Sequence, residues 1–310
     1  MKTLVVGAGA IGGVIASRLI AAGQVASVAT RDRSAAEKLR QTGLRVTGIG
    51  GETHALVKGI APLEDYLGTG DFDLVILATK AAEAIAISSK ITTTLRGEGT
   101  LLPLQNGGVA FEISEQTGGH ATLGGLSNIG ATMHTPGVYE QRNGGHLLLG
   151  ELVGGSSLRA DRVGAYLADA IDVRVTTNFS GCVWSKLLVN CSVTTLGAVS
   201  GVTMRQYVQD PDCRRFLLAV YRETLGIALA CGAHPERLLI DPNPVALTDE
   251  IDDGTAIQAW MNSVLDGYGD IKPSMLQDLE RGRVTEIAHI NGYVTRVAVS
   301  LGMPAPLNAS

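Results

Sequence analysis

The chain begins Met-Lys and then runs Thr3-Leu-Val-Val-Gly-Ala-Gly-Ala-Ile-Gly-Gly13, and this opening constrains the fold more than any other stretch. Thr3 to Val6 is a short apolar run that reads as a buried strand. Glycines at 7, 9 and 12 give G-x-G-x-x-G, with a further glycine at 13. A helix-compatible run continues to Ala22, and Gly23 suits its C-terminal end. A bound pyrophosphate needs strand, glycine turn and helix in that order. Gly7 allows the tight turn and Gly9 lets the backbone approach the phosphates. Gly12 lets the helix pack close to the strand, and the helix N-terminus faces the negative charge. Ala10 and Ile11, inside the motif, count with the glycines as dinucleotide contacts. The motif alone is weak; its place between a strand and a helix gives it weight.

Met1-Lys2 before apolar residues could also start a secretory signal. Four glycines between positions 7 and 13 make a poor helical core for one, Arg18 interrupts the run, and Ala21-Ala22-Gly23 is a loose cleavage site. The 310 residues suggest two domains with a large core. Hydrophobic residues make up 45% and charged residues 18%, as in a globular protein. Thirty acidic against 25 basic residues give a net charge of −5, which offers no basic field for nucleic acid. Outside the glycine-rich start no run of about 18 uncharged apolar residues suggests a membrane span. The four cysteines form no C-x-x-C pair and fit reduced thiols in a cytoplasmic protein. The six histidines are scattered without H-E-x-x-H, so no metal site is expected.

Val25 to Ala29 reads as a second strand, followed by Thr30-Arg31-Asp32-Arg33. At this place in a dinucleotide fold an acid would bind the 2′-hydroxyl of NAD, and an arginine would suit the 2′-phosphate of NADP. Arg31 comes first and a guanidinium matches phosphate bidentately, which favours NADP, while Asp32 pulls the other way. Ser34 to Gln41 reads as a helix, and Leu44 to Thr47 with Thr53 to Val57 as a hairpin. Asp73 to Ala78 is a continuous apolar run typical of a parallel strand covered on both faces, and it ends in Thr79-Lys80. Ala81 to Leu95 reads as a helix. Thr100 to Leu104 reads as a strand ending in Gln105-Asn106-Gly107-Gly108. Polar residues directly after strand ends sit where open α/β sheets bind ligands, so Lys80 and Asn106 are site candidates. From Ala121 to Val175 the pattern is strands and turns with one helix near 161–170. Beyond it, segments 180–200, 212–232, 247–266, 273–281 and 285–301 allow helices. The reading is an α/β Rossmann-type dinucleotide-binding domain over 1–175 and an all-α domain over 176–310. In the helical part, Lys186-Leu-Leu-Val-Asn190 sets Lys186 and Asn190 on one helix face, both interrupting an apolar stretch.

With Lys272-Pro-Ser274-Met-Leu-Gln-Asp278 and Thr285-Glu286-Ile-Ala-His-Ile-Asn291-Gly292 added, the chain resembles the ketopantoate reductase (2-dehydropantoate 2-reductase) family over almost its full length. The matching pieces are G-A-G-A-I-G-G, Lys80, the Gln-Asn-Gly turn at 105–107, K-L-L-V-N at 186–190, S-M-L-Q-D at 274–278 and T-E-I-x-x-I-N-G at 285–292. The resemblance implies an N-terminal domain that binds NADPH and a helical domain that completes a cleft for a 2-oxo acid. It implies Lys186 as general acid and Glu286 as the anchor of the substrate hydroxyl and a cofactor contact. It further implies Asn106, Asn190 and Ser274 as substrate contacts, Arg31 and Lys80 as residues favouring NADPH, and a product of D (R) configuration. Asn106 counts toward the cofactor as well.

There are three departures. Many members carry His where this chain has Gln105, and asparagine where it has Thr194, which is kept as a substrate-binding candidate. Members usually continue into a further helix after their P-x-N, whereas this chain stops at Ser310, just after Pro306-Leu-Asn308. The first two leave the substrate open between 2-dehydropantoate and another branched or aromatic 2-oxo acid. A NADP-sensing protein without turnover is the alternative from another class, although Lys186 and Glu286 together would be superfluous in it. The sequence is compatible with a homodimer.

Ser274 and Glu286 are assigned to one small acid, yet in a straight helix they would lie about 18 Å apart at 1.5 Å per residue. The helix must therefore break between them, and Gly282 is the natural point. The expectation is a helix over 274–281, a turn at 282–284, and a second helix from 286 capped by Thr285.

Overall fold

The structure, a computed structural model, describes residues 1–238, 240–242 and 254–310. The chain forms two compact units, Met1–Phe179 and Ser180–Ser310. Through the first unit run β1 (Thr3–Val6), α1 (Ala10–Ala21), β2 (Ala26–Thr30), α2 (Arg33–Thr42), β3 (Leu44–Gly48), β4 (Thr53–Ala55), β5 (Gly59–Pro62), β6 (Phe72–Leu77), α3 (Ala81–Ile91), β7 (Leu95–Pro103), α4 (Val109–Gln116), β8 (Gly124–Ser127), β9 (Ala131–Thr135), β10 (Val138–Gln141), β11 (Leu147–Gly150), α5 (Leu158–Ala168) and β12 (Val173–Val175).

Five of these strands form a parallel sheet in the order β5-β2-β1-β6-β7. Alternate residues point to opposite faces of a strand, and both faces are covered here. Val5, Leu74 and Ile76 join Val14, Ile15 and Leu19 of α1 in one core. Leu4, Val6, Val75 and Leu77 join Ala81, Ala84, Val109 and Ile113 in the other. Because the chain leaves β1 toward β2 and later returns to its other side as β6, strand order reverses at β1. The carboxyl ends beside that reversal form the crevice where such sheets bind ligands. A second sheet runs β4-β3-β10-β9 and a third β12-β11-β8. The β3–β4 pair is the expected antiparallel hairpin.

The expected helix over 81–95 is shorter than its sequence pattern. It ends at Ile91, and Thr92–Thr94 form a 3-10 turn before β7. The three threonine hydroxyls donate to the carbonyls of Ser89, Lys90 and Ile91 at 2.6–2.8 Å, which competes with the helical ladder.

The second unit is helical: α6 (Phe179–Val189, begun by the last residue of the first unit), a π-turn at Asn190–Thr194, α7 (Thr195–Ser200), α8 (Met204–Tyr207), α9 (Pro211–Ala230), α10 (Thr255–Tyr268), α11 (Ser274–Glu280), a 3-10 turn at Ile287–His289, α12 (Asn291–Ser300) and α13 (Pro306–Ala309). Its core gathers Leu188, Val193, Tyr207, Leu217, Tyr221, Trp260 and Val264, with Tyr221 and Trp260 edge to face at 4.7 Å. Of the helix expected over 247–266, residues up to 253 lie outside the described residues. Among the described residues only Phe179–Ser200 is long and apolar enough to cross a membrane, and 67% of its apolar window is buried within the protein.

Candidate functional site

The glycine loop follows β1 as its spacing predicts. Gly7 has φ +99°, where a side chain would be strained. A Cβ on Gly12 would stand 1.9 Å from the Gly7 carbonyl oxygen and 3.0 Å from Ala78 Cβ. A Cβ on Gly9 would meet nothing within 4 Å, so this glycine faces open space. Ala10 and Ile11 open α1, which starts behind Gly9 without a side-chain cap. The first-turn N–H groups of a helix lack intrahelical acceptors, and a phosphate satisfies them. Gly13, the glycine outside the motif, makes room for a distant residue. Its Cβ would fall 2.1 Å from the ring of Tyr139 on β10, and the Tyr139 hydroxyl donates to the Ala8 carbonyl at 3.0 Å. Tyr139 thus braces the loop from the second sheet. Burial pushes its phenol up to about 12, so it remains a neutral donor.

At the end of β2 the three charges separate into distinct roles. Asp32 caps α2, one carboxylate oxygen accepting from the Ala35 N–H at 2.8 Å and the other from Arg31 Nε at 3.2 Å. These contacts hold its carboxyl below the usual range, the Ala35 bond contributing most. Arg33 reaches both oxygens of Asp65 at 3.3 Å. The Arg31 side chain stays 90% exposed.

At the end of β6, Lys80 is exposed and immediately precedes α3. At the end of β7, Gly107 turns the chain with φ +76° and Asn106 is half-buried. Gln105, a residue that leaves the substrate open in the sequence, turns its amide inward. Its Nε2 donates to the carbonyls of Leu77 at 3.0 Å and Thr79 at 2.9 Å, tying the two strand ends together. Gln105 Oε1 and Thr79 Oγ1 are buried and have no protein partner. An unpartnered amide oxygen and an unpartnered hydroxyl at the strand ends, an uncapped α1 and the open Gly9 fit a bound dinucleotide.

In the second unit, Lys186 lies in the last turn of α6 among Trp184, Leu187 and Leu188, each at most 2% exposed. It is half-buried itself, unlike a typical solvated helix lysine. Burial pushes its ammonium down to about 8, with the Glu286 carboxylate acting in the opposite sense. The single helix expected over 180–200 is interrupted four residues later by the π-turn. The Asn190 carbonyl accepts from the Thr195 N–H, as π geometry requires, and from the Thr194 hydroxyl at 2.9 Å. Ser192 donates to the Leu188 carbonyl at 2.6 Å. Hydroxyls bonding back to the preceding turn bend helices, and π-turns concentrate at functional sites. The Thr194 hydroxyl hydrogen is therefore engaged within the helix.

The break between Ser274 and Glu286 falls where expected. Ser274 is exposed at the start of α11. Gly282 has φ +63°, its N–H donates to Leu279 and that of Arg283 to Asp278, a Schellman ending. A regular helix does not resume at 286. Glu286 precedes the 3-10 turn, its carbonyl accepting from the N–H groups of His289 and Ile290, and α12 begins only at Asn291. The Thr285 hydroxyl reaches the Ile287 N–H at 3.5 Å, too long for an effective cap.

A groove of about 480 Å³ beside the second sheet, lined by Thr42, Arg45, Glu52, Thr53, His54, Gly137 and Val138, contains none of these residues.

Residues 3–154 match the family model described as ketopantoate reductase PanE/ApbA, and residues 178–310 match that of its C-terminal part. The chain is 29% identical to the 2-dehydropantoate 2-reductase of Pyrococcus horikoshii, covering 99% of this chain and 94% of that protein. It is 27% identical to the uncharacterized oxidoreductase YkpB of Bacillus subtilis, covering 99% and 95%. Among solved structures, 2-dehydropantoate 2-reductase from Geobacter metallireducens GS-15 is 26% identical with a TM-score of 0.81, covering 100% of this chain and 97% of that one. The ternary structure of D-mandelate dehydrogenase with NADH and anilino(oxo)acetate has a TM-score of 0.83 at 21% identity, covering 100% and 95%, a likeness of fold.

Proposed function

This chain belongs to the ketopantoate reductase family, a family of nicotinamide-dinucleotide-dependent oxidoreductases, and on that premise we propose that it reduces a 2-oxo acid to the 2-hydroxy acid with NADPH, 2-dehydropantoate being the first substrate to test. Lys186 carries this reading: it is a lysine seated in an apolar helix, with an ammonium lowered to about 8. The glycine loop, Arg31, Lys80 and Asn106 would hold the dinucleotide. When bound, its reduced nicotinamide supplies the hydride. Negative charge then builds on the substrate's carbonyl oxygen. The Lys186 ammonium stabilises that charge and gives the oxygen a proton from Nζ. A proton donor near 8 is still charged at neutral pH, yet gives up its proton far more readily than a free lysine at about 10.4. Glu286 opposes the effect of burial on that ammonium and would accept from a substrate hydroxyl. Ser274, Asn190 and Asn106 supply neutral donors suited to a carboxylate.

The case for NADPH over NADH rests on Asp32. Both of its oxygens serve the chain, one as the α2 cap and one as partner of Arg31. The acid that would read a 2′-hydroxyl is therefore engaged, while Arg31 is exposed. Arg31→Ala is expected to weaken NADPH by roughly ten- to a hundredfold, the worth of a charge-assisted phosphate contact of about 1.5–3 kcal/mol, and NADH much less. Fluorescence titration of both cofactors decides it; equal losses would remove Arg31 from phosphate recognition.

Gln105 Nε2 and the hydrogen of the Thr194 hydroxyl both donate to backbone carbonyls, so neither is left to donate to a ketopantoate side chain. A second reading follows, a reductase of another branched or aromatic 2-oxo acid. A panel of 2-oxo acids ranked by kcat/KM separates the two. Ketopantoate well below the best substrate would favour the second, and no NADPH oxidation with any acid would overturn both.

A further inference from the structure

The motif at the C-terminus and the Asn-Gly motif at 291–292 meet in a buried network that no step above uses. Asn308 and Asn291 are 7% and 5% exposed, and Thr224 is fully buried. The Glu223 carboxylate accepts from the N–H groups of Leu307 and Asn308, at 3.0 and 2.8 Å, and from Asn308 Nδ2 at 2.9 Å. Asn308 Nδ2 also reaches Thr224 Oγ1 at 3.1 Å. A carboxylate of this kind accepts and does not donate, so it fixes which way the Asn308 amide faces. Asn308 Oδ1 must then face Asn291, which presents its Nδ2 at 3.1 Å. That leaves Asn291 Oδ1 to accept from the Thr195 hydroxyl at 2.8 Å. One carboxylate thus sets the direction of every hydrogen bond from Glu223 to Thr195.

The far end of this relay is the π-turn. The Thr195 hydroxyl has one hydrogen and two acceptors within reach, Asn291 Oδ1 and the Asn190 carbonyl at 2.9 Å. Asn291 Nδ2 also touches the Cys191 carbonyl at 3.4 Å. While the relay holds, the Thr195 hydroxyl points to Asn291, and the Asn190 carbonyl keeps the Thr195 N–H and the Thr194 hydroxyl. Cutting the relay frees the Thr195 hydroxyl to turn onto Asn190 and releases Cys191.

We propose that Asn308 and Asn291 are positioning residues, which hold the π-turn at 190–194 so that Asn190 is set for the substrate. This rests on the assignment of Asn190 to the 2-oxo acid made above. Residues that act through one another give non-additive effects, and independent sites with no shared partners give additive ones.

The test compares Asn190→Ala, Asn308→Ala and the double variant, reading KM for the best 2-oxo acid, NADPH affinity by fluorescence and melting temperature. Asn190→Ala is expected to raise KM. Asn308→Ala is expected to raise it roughly two- to a hundredfold, the range of coupling between contacting residues, with NADPH affinity unchanged. The double variant should be no worse than Asn190→Ala alone. If Asn308→Ala does not fold, Asn291→Ala takes its place, since it removes both the acceptor of the Thr195 hydroxyl and the contact with Cys191, with the same expected rise in KM. An unchanged KM in Asn190→Ala overturns the assignment of Asn190 and the proposal with it. A raised KM in Asn190→Ala with an unchanged KM in Asn308→Ala, or fully additive effects in the double variant, overturns the proposal alone.

Discussion

Lys186→Ala is expected to lower kcat by about 10²–10⁴-fold, the usual contribution of general acid catalysis, with NADPH affinity nearly intact. The size follows from what alanine cannot do: it neither neutralises charge building on the carbonyl oxygen nor donates to it. Lys186→Met should lose as much, because it keeps length and apolar contact but not the ammonium. Lys186→Arg should fall between the wild type and these two variants, since a guanidinium stays charged but does not give up its proton readily.

The pH profile supplies an independent check. Burial lowers the Lys186 ammonium to about 8, so the donor form is present below that pH and disappears above it. In the reductive direction kcat should be level near neutrality and fall about tenfold per pH unit above 8, as expected for one essential acid. In the oxidative direction the unprotonated amine is the useful form, and kcat should rise up to about the same pH. Lys186→Arg should lose that inflection. Near-normal turnover in Lys186→Ala, or an unchanged alkaline limb in Lys186→Arg, would remove Lys186 from proton transfer.

The parts of the fold legible from sequence are local. The β1-glycine-α1 unit announces itself because strand, turn and helix signals lie side by side within twenty-odd residues, and β6 because a continuous apolar run has few other uses. The break at Gly282 follows from arithmetic on helix length once the family resemblance assigns Ser274 and Glu286 to one small ligand. What escaped depends on residues distant in sequence. Nothing near Gly13 indicates that Tyr139 will fill the space left by its missing side chain. Nothing near Asn190 points to Asn291 and Asn308, although those two set the hydrogen bonding of Thr195. The π-turn and the 3-10 turn at Thr92–Thr94 did have a local signal, runs of Ser and Thr that bond back to the helix. Asp32 had one too: an aspartate directly before a helix is a cap first and a ribose ligand second.

The glycine loop yields the second large effect, best measured as a contrast between two substitutions of the same chemistry. Gly9 and Gly12 belong to one motif but face opposite ways. Gly9 has φ −72° and ψ −169°, a conformation alanine adopts without strain, and its Cβ would meet nothing within 4 Å. Gly9→Ala should therefore fold with an unchanged melting temperature. Its methyl group would stand in the open space over the loop, where the backbone must approach a pyrophosphate, and NADPH affinity should fall at least about tenfold, or some 1.4 kcal/mol. At Gly12 the added Cβ would stand 1.9 Å from the Gly7 carbonyl oxygen. That neighbour is backbone, in a turn already fixed by the φ of Gly7, and it has little room to yield. Overpacking of this kind costs about 1–3 kcal/mol and occasionally more, so Gly12→Ala should lower the melting temperature by several degrees and, by displacing the loop, abolish measurable NADPH binding. Thermal melts of both variants with and without NADPH read out the contrast. If Gly9→Ala binds NADPH like the wild type, the loop does not cradle the phosphates. If Gly12→Ala melts like the wild type, the close approach of α1 to the loop is not what requires that glycine.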